Sequence, residues 1–290
     1  MTTILHPSLA IPPLSAYLFH SKFPQSFSTQ IHHRASLPSP CLSFSRPLPR
    51  KSFPTNCSVS DDTTPANVFT ADHSIALKKK AADVSADLRG TSLFLVGMNN
   101  SIKSSLGTLL ADLLRYYYFD SDALVSQAAG GESAAISLKE SDEKGFREAE
   151  TEVLKQLSSM GRLVVCAGDG AVQSSTNLAL LRHGITIWVD VPLDIVAKGV
   201  IGNKSLLLSS EITNSGSYSE VLPQLTALYE GMRTGYATAD ATVSLQKVAY
   251  QLGYEDMDAV STEDLTMEVL KEIERLTRVK KMMEEAARPF

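Results

Sequence analysis

Residues 91–105 read TSLFLVGMNNSIKSS: a short apolar run, a glycine, a polar turn and then Lys-Ser-Ser. Bounded by Gly90 and Gly97, the run reads as a buried strand. Leu106, Leu109, Leu110, Leu113 and Leu114 follow at helical spacing, so the polar residues 98–105 join a strand to a helix. The alternation continues downstream. Tyr116 to Phe119 is a second strand candidate, closing in Asp120-Ser121-Asp122. A helix is expected over 142–160, with Phe146, Ala149, Val153 and Leu157 on one face. Leu163 to Cys166 reads as a third strand running into Gly168-Asp169-Gly170, with Ile185 to Val189 a fourth and Ala241 to Leu245 a fifth. Near the end, Leu265, Val269, Ile273 and Leu276 form a helical stripe behind the capping signal Ser261-Thr262-Glu263-Asp264. Strands alternating with helices predict an α/β fold with a parallel sheet between two helical layers. Ligands of such sheets gather at the carboxyl ends of the strands, which here carry Gly97, Asp120, Asp122 and Gly168 to Gly170.

Composition divides the chain. Of 290 residues carrying a net charge of -5, residues 1–60 contain no Asp or Glu but 12 Ser, 9 of the 13 Pro and five Lys or Arg. The opening 60 residues thus carry +5 and the remaining 230 carry -10. A Ser-rich, acid-free, basic start has the makeup of an organelle transit peptide, and the sparse basic residues favour the chloroplast. Residues 1–57 are expected to be that peptide, 58–87 a polar linker with no steady apolar period, 88–278 the folded domain and 279–290 a tail. Cys41 and Cys57 fall in or beside the first segment, leaving Cys166 alone, so no internal disulfide is expected. No long apolar run lacks a charge or proline, so no membrane span is expected. The acidic balance speaks against nucleic acid as a partner.

Three constellations carry chemistry. Gly97, Lys103 and Ser104 stand where a phosphate-binding loop has its first glycine, its lysine and its hydroxyl, but Ile102 replaces the second glycine. That replacement is expected to strain the loop and place bulk beside the phosphate path. The plainer reading is an ordinary solvated helix start. Asp120 and Asp122 can hold a metal or accept a hydroxyl proton; the alternative is a solvated turn with Asp122 as a helix cap. Arg147 can clamp a carboxylate beside the backbone of Gly168 and Gly170, or it is a surface arginine paired to Glu150 or Glu143.

In this order the pieces resemble shikimate kinase, particularly the plastid enzymes of plants, from about Leu88 to Glu274. Leu95-Val-Gly-Met98, Phe119-Asp-Ser-Asp122, Phe146-Arg147 with Glu150, Gly168 and Gly170 before Ala171-Val172, and Asp190-Val-Pro-Leu-Asp194 carry the likeness. Tyr236-Ala237 with Ala239-Asp240 and Val243-Ser-Leu245 add to it. The resemblance implies a three-layer α/β/α fold of the nucleoside monophosphate kinase type. In active members ATP and magnesium sit on the phosphate loop, and the shikimate 3-hydroxyl receives the γ-phosphate.

The departures fall on that chemistry. Asn100 and Ile102 replace loop glycines, and Asp169 stands in the middle of a Gly-Gly-Gly segment that lies against shikimate. Lys204-Ser205 replaces the Arg-Pro of the lid, and Met232 aligns with a carboxylate-binding arginine, with Arg233 next door. Lysine keeps the charge of that arginine without its planar fork. Losses in one catalytic unit compound. The expectation is therefore no catalytic residue, no metal and no cofactor. Gly97, Lys103 and Ser104 would be a vestigial phosphate loop, and Asp120, Asp122, Arg147, Gly168 and Gly170 a vestigial magnesium or substrate site. The likeness runs to the plastid shikimate kinase-like branch described as inactive and linked to chloroplast development. Three functions follow from the sequence. They are a non-catalytic binding or regulatory module, a small-molecule kinase with a changed substrate, and a ligand-free structural partner using the surface of 262–284. Its partner would be a plastid protein or a small metabolite.

Overall fold

The computed structural model describes residues 65–202 and 218–288. The expected transit peptide, and Lys204 and Ser205 of the expected lid, lie outside those residues. Each predicted strand is present. β1 (Leu93–Val96), β2 (Tyr117–Asp120), β3 (Leu163–Cys166), β4 (Ile185–Asp190) and β5 (Ala241–Ser244) form one sheet in the order β2-β3-β1-β4-β5, with every pairing parallel. β1 and β3 are buried along their whole length, which is why they read as unbroken apolar runs and not as alternating ones.

Helices cover both faces. α1 (Pro65–Leu88), α2 (Ser101–Leu114), α3 (Ser121–Ala129), α4 (Glu132–Ser141), α5 (Glu143–Ser158) and α6 (Ser175–Leu181) precede β4; α7 (Leu193–Gly202), α8 (Tyr218–Tyr236), α9 (Leu245–Leu252) and α10 (Thr262–Ala286) complete the chain. Leu106, Leu110 and Leu114 of α2 are buried, as their spacing requires. α2 approaches the sheet through Gly107, where a Cβ would come within 2.7 Å of Cys166 Sγ. Phe146, Ala149, Val153 and Leu157 of α5 all face the core, as their pattern predicts.

Two expectations fail at the ends of the domain. The polar stretch expected as a linker is, from Pro65 onward, helix α1. Leu77, Ala81, Val84 and Leu88 recur along one face and are buried against α10 and α2. The apolar stripe is real but thin, with an alanine among its members and the Lys78-Lys79-Lys80 run across it. Burying each large aliphatic member contributes about 1.5–3 kcal/mol, so packing and not propensity holds the helix. Likewise the expected tail from 279 is a continuation of α10 to Ala286, because Val279 to Ala286 holds good helix formers and no glycine or proline. α1 and α10 run parallel: His73 faces Asp264, Lys80 pairs with Glu274, and Asp87 pairs with Lys281. Ser261 opens α10 with a full capping box to Asp264, as the sequence signal indicates.

Candidate functional site

The sequence-predicted residues meet at the carboxyl edge of β1, β2 and β3. Gly97 follows β1 with φ 133°, and a Cβ there would lie 2.3 Å from the Val189 carbonyl oxygen. Only glycine fits that turn. Asn100 then caps α2. Its Oδ1 accepts the Lys103 backbone N–H at 2.8 Å, and its Nδ2 donates to the Met98 carbonyl at 2.7 Å. The Asn100 carboxamide is buried and occupies an N–H that a phosphate loop would turn toward its ligand.

Lys103 is 1% exposed. Its Nζ donates to the Gly97 and Ala167 carbonyls, both at 2.8 Å, tying the end of β1 to the end of β3. Ser104 Oγ stands 3.4 Å from the Asn100 carbonyl. Lys103 thus spends both its backbone N–H and its ammonium inside the loop. Ile102 departs from expectation in one respect: it lies in the first turn of α2 and carries no positive φ. Among the described residues, only Arg89, Arg115 and Arg162 of the non-glycines have one. The Asn100 cap has drawn this segment into ordinary helix, so the expected backbone strain at Ile102 is absent.

The carboxylates crowd beside this loop. Asp120, not Asp122, caps α3, accepting the Ala123 N–H at 3.1 Å. Asp122 lies in the first turn of α3 and not at a strand position, and Asn99 Nδ2 donates to its Oδ2 at 3.3 Å. Gly168 packs against that carboxyl so closely that a Cβ would fall 1.8 Å from Asp122 Oδ1. Ser121 Oγ accepts the Gly168 N–H at 2.9 Å and fixes the approach. Burial, reinforced by the negative charges of Asp120, Asp169 and Glu150, pushes Asp122 up to about 8 against the pull of Lys103. Part of the Asp122 side chain reaches solvent, but protein packed around the carboxyl governs its protonation.

Arg147 does not stand ready for a ligand. It donates to Glu150 at 2.9 Å and lies 3.8 Å from Glu143, so both predicted surface partners are engaged. Burial still holds Glu150 above the usual carboxylate range, with Arg147 opposing. Gly170 lies under this pair, since a Cβ there would meet Arg147 Nη1 at 2.2 Å. Asp169, 2% exposed, adds its charge to both Asp122 and Glu150. Met232 is buried, and its Sδ accepts from Tyr236 Oη at 3.3 Å. Arg233 lies on the outer side of α8, 62% exposed and facing Glu230 at 3.7 Å, so it does not replace a clamp at Met232.

Sequence reasoning passed over the aromatic wall of the site. Trp188 stacks on Tyr236 with centroids 5.8 Å apart, and Tyr229 closes the group at 6.4 Å from Tyr236. The Trp188 ring edge lies 3.4 Å from where a Gly97 Cβ would be. Its only sequence signal is a lone tryptophan interrupting a strand. As a whole the arrangement offers a clamped lysine, a capped helix end and crowded acids. It favours neutral or cationic groups over polyanions.

Among known proteins, the shikimate kinase family model matches residues 99–270. A chloroplastic protein of Arabidopsis thaliana, named a probable inactive shikimate kinase-like protein, is 59% identical over 228 residues, covering 79% of this chain and 78% of its own. A chloroplastic shikimate kinase of Oryza sativa subsp. japonica is 38% identical over 251 residues, covering 83% of this chain and 87% of its own. The solved shikimate kinase of Acinetobacter baumannii in complex with shikimate gives a TM-score of 0.53 at 24% identity, over 66% of this chain and 96% of that one.

Proposed function

We propose, from the premise that this chain belongs to the shikimate kinase family, that it is a chloroplast protein using the kinase fold as a non-catalytic binding or regulatory module. The observation that carries the reading is the internal bonding of the phosphate-loop lysine. Asn100 takes the Lys103 N–H and two carbonyls take the Lys103 ammonium, so an entering phosphate must break existing bonds before making new ones. Each charge-assisted bond so displaced costs about 1.5–3 kcal/mol.

The substrate side supports the same reading. Asp169 adds a buried negative charge where the family places glycine against an anionic substrate. Asp122, held protonated near neutral pH, is a poor acceptor for a hydroxyl proton. The chloroplast names of the relatives and the acid-free first 60 residues support the location. Titration calorimetry of the purified chain with magnesium-ATP is expected to give no measurable heat. Micromolar binding, about -8 kcal/mol, would instead favour the kinase with a changed substrate, for which Lys103, Ser104, Asp120 and Asp122 are retained.

A further inference from the structure

We infer that the seam between α1, α10 and the amino-terminal edge of the sheet is a second binding site, one that takes a small molecule through a phosphate group. The seam encloses a cavity of about 500 Å³ at the opposite end of the strands from the phosphate loop. One wall is Thr91, Gly184, Ile185 and Asp240, at the amino-terminal ends of β1, β4 and β5. The other comes from the last turns of α1 and from residues 276–284 of α10. These segments lie outside the residues 99–270 that the family model matches. The cavity thus joins Arg182 to Ile185 and Asp240, inside the matched span, to helical segments outside it.

Its charge runs against that of the chain. The sequence carries a net -5, yet Arg89, Arg182, Lys280 and Lys281 face only three carboxylates in this lining. Asp87 pairs with Lys281, while Asp240, whose Oδ2 accepts the Thr186 N–H at 2.8 Å, keeps its charge, so the lining as a whole carries one net positive charge. Glu284 stands exposed on the outer turn of α10. Among the described residues, none pairs with Arg89, Arg182 or Lys280. They come from three separate stretches of the chain, and His183 lines the same cavity. Two guanidinium forks and an ammonium lining one cavity suit the tetrahedral oxygens of a phosphate.

Calorimetric titration of the full chain with pyrophosphate at low salt tests the assignment. Binding is expected, and the exposed double variant Arg182→Gln, Lys280→Gln should weaken it by about tenfold or more for each cation removed. Trp188, the lone tryptophan, sits against Gly97 at the other end of the sheet and should keep its emission unchanged during the titration. Arg89→Gln provides a second variant, on a different element, expected to weaken binding in the same direction. No heat, binding equal in parent and variants, or a pyrophosphate-induced change in Trp188 emission each overturns the assignment. These results are separate from the magnesium-ATP titration, which bears only on the phosphate loop.

Discussion

Asp122 holds its proton in the folded chain to about pH 8, while its ordinary value is 3.8. Between those values the unfolded chain binds fewer protons than the folded one, so this residue makes stability fall as pH rises, and above about pH 8 its penalty is complete. Asp122→Asn removes the effect. Urea midpoints of variant and parent should converge near pH 4 and separate in favour of the variant toward about pH 8. A constant difference across that range would refute the carboxylate crowding. Asn100 supports a second test. Asn100→Gly with Ile102→Gly should leave the fold intact, since glycine replaces the asparagine cap at a few tenths of a kcal/mol and the partly buried Ile102 in the first turn of α2 at about 1 kcal/mol or more, and should free the Lys103 N–H for nucleotide. Shikimate phosphorylation, followed by coupled ADP release, should need Asp169→Gly, Met232→Arg, Lys204→Arg and Ser205→Pro as well, with non-additive gains. A folded loop variant that still ignores ATP would place the defect elsewhere. The types and order of the site residues were legible in the sequence because the site hangs on strand ends. The cap at Asn100 was not, because a glycine substitution announces lost freedom and gives no sign of which backbone group the new side chain will seize.

At the scale of elements, five strands and the faces of α2, α5 and α10 were legible because large aliphatic side chains repeat at the period of the structure they form. α1 was obscured by composition. Its stripe holds one alanine, and its three consecutive lysines read as a solvated segment, although Lys80 has a partner on α10. Lys80 meets Glu274 across that contact and draws the Glu274 carboxyl below its ordinary value through its hydrogen bond. The apolar stripe should dominate the energetics. Leu77→Ala is expected to cost about 2–4 kcal/mol, measured by chemical denaturation, whereas Lys80→Ala should cost less than about 1 kcal/mol. Equal effects would show that α1 is held by its ion pairs.

For the whole molecule, the first prediction concerns location. A reporter fused to residues 1–57 is expected to enter chloroplasts, and a cytosolic signal would contradict the reading of that acid-free segment. The second consequence lies in the pairing of the two terminal helices. Lys80 meets Glu274, and Asp87 meets Lys281, each across 194 residues of chain. A chain made from its amino end therefore completes α1 long before its partner exists. At about 5–20 residues per second, that gap is roughly 10–40 s of synthesis. Throughout it, Leu77, Ala81, Val84 and Leu88 form an apolar face with its main cover missing, open to any chaperone or aggregate within reach. The closing of this fold is an event of the last helix, and a chain cut before Thr262 keeps that face without its main cover for its lifetime.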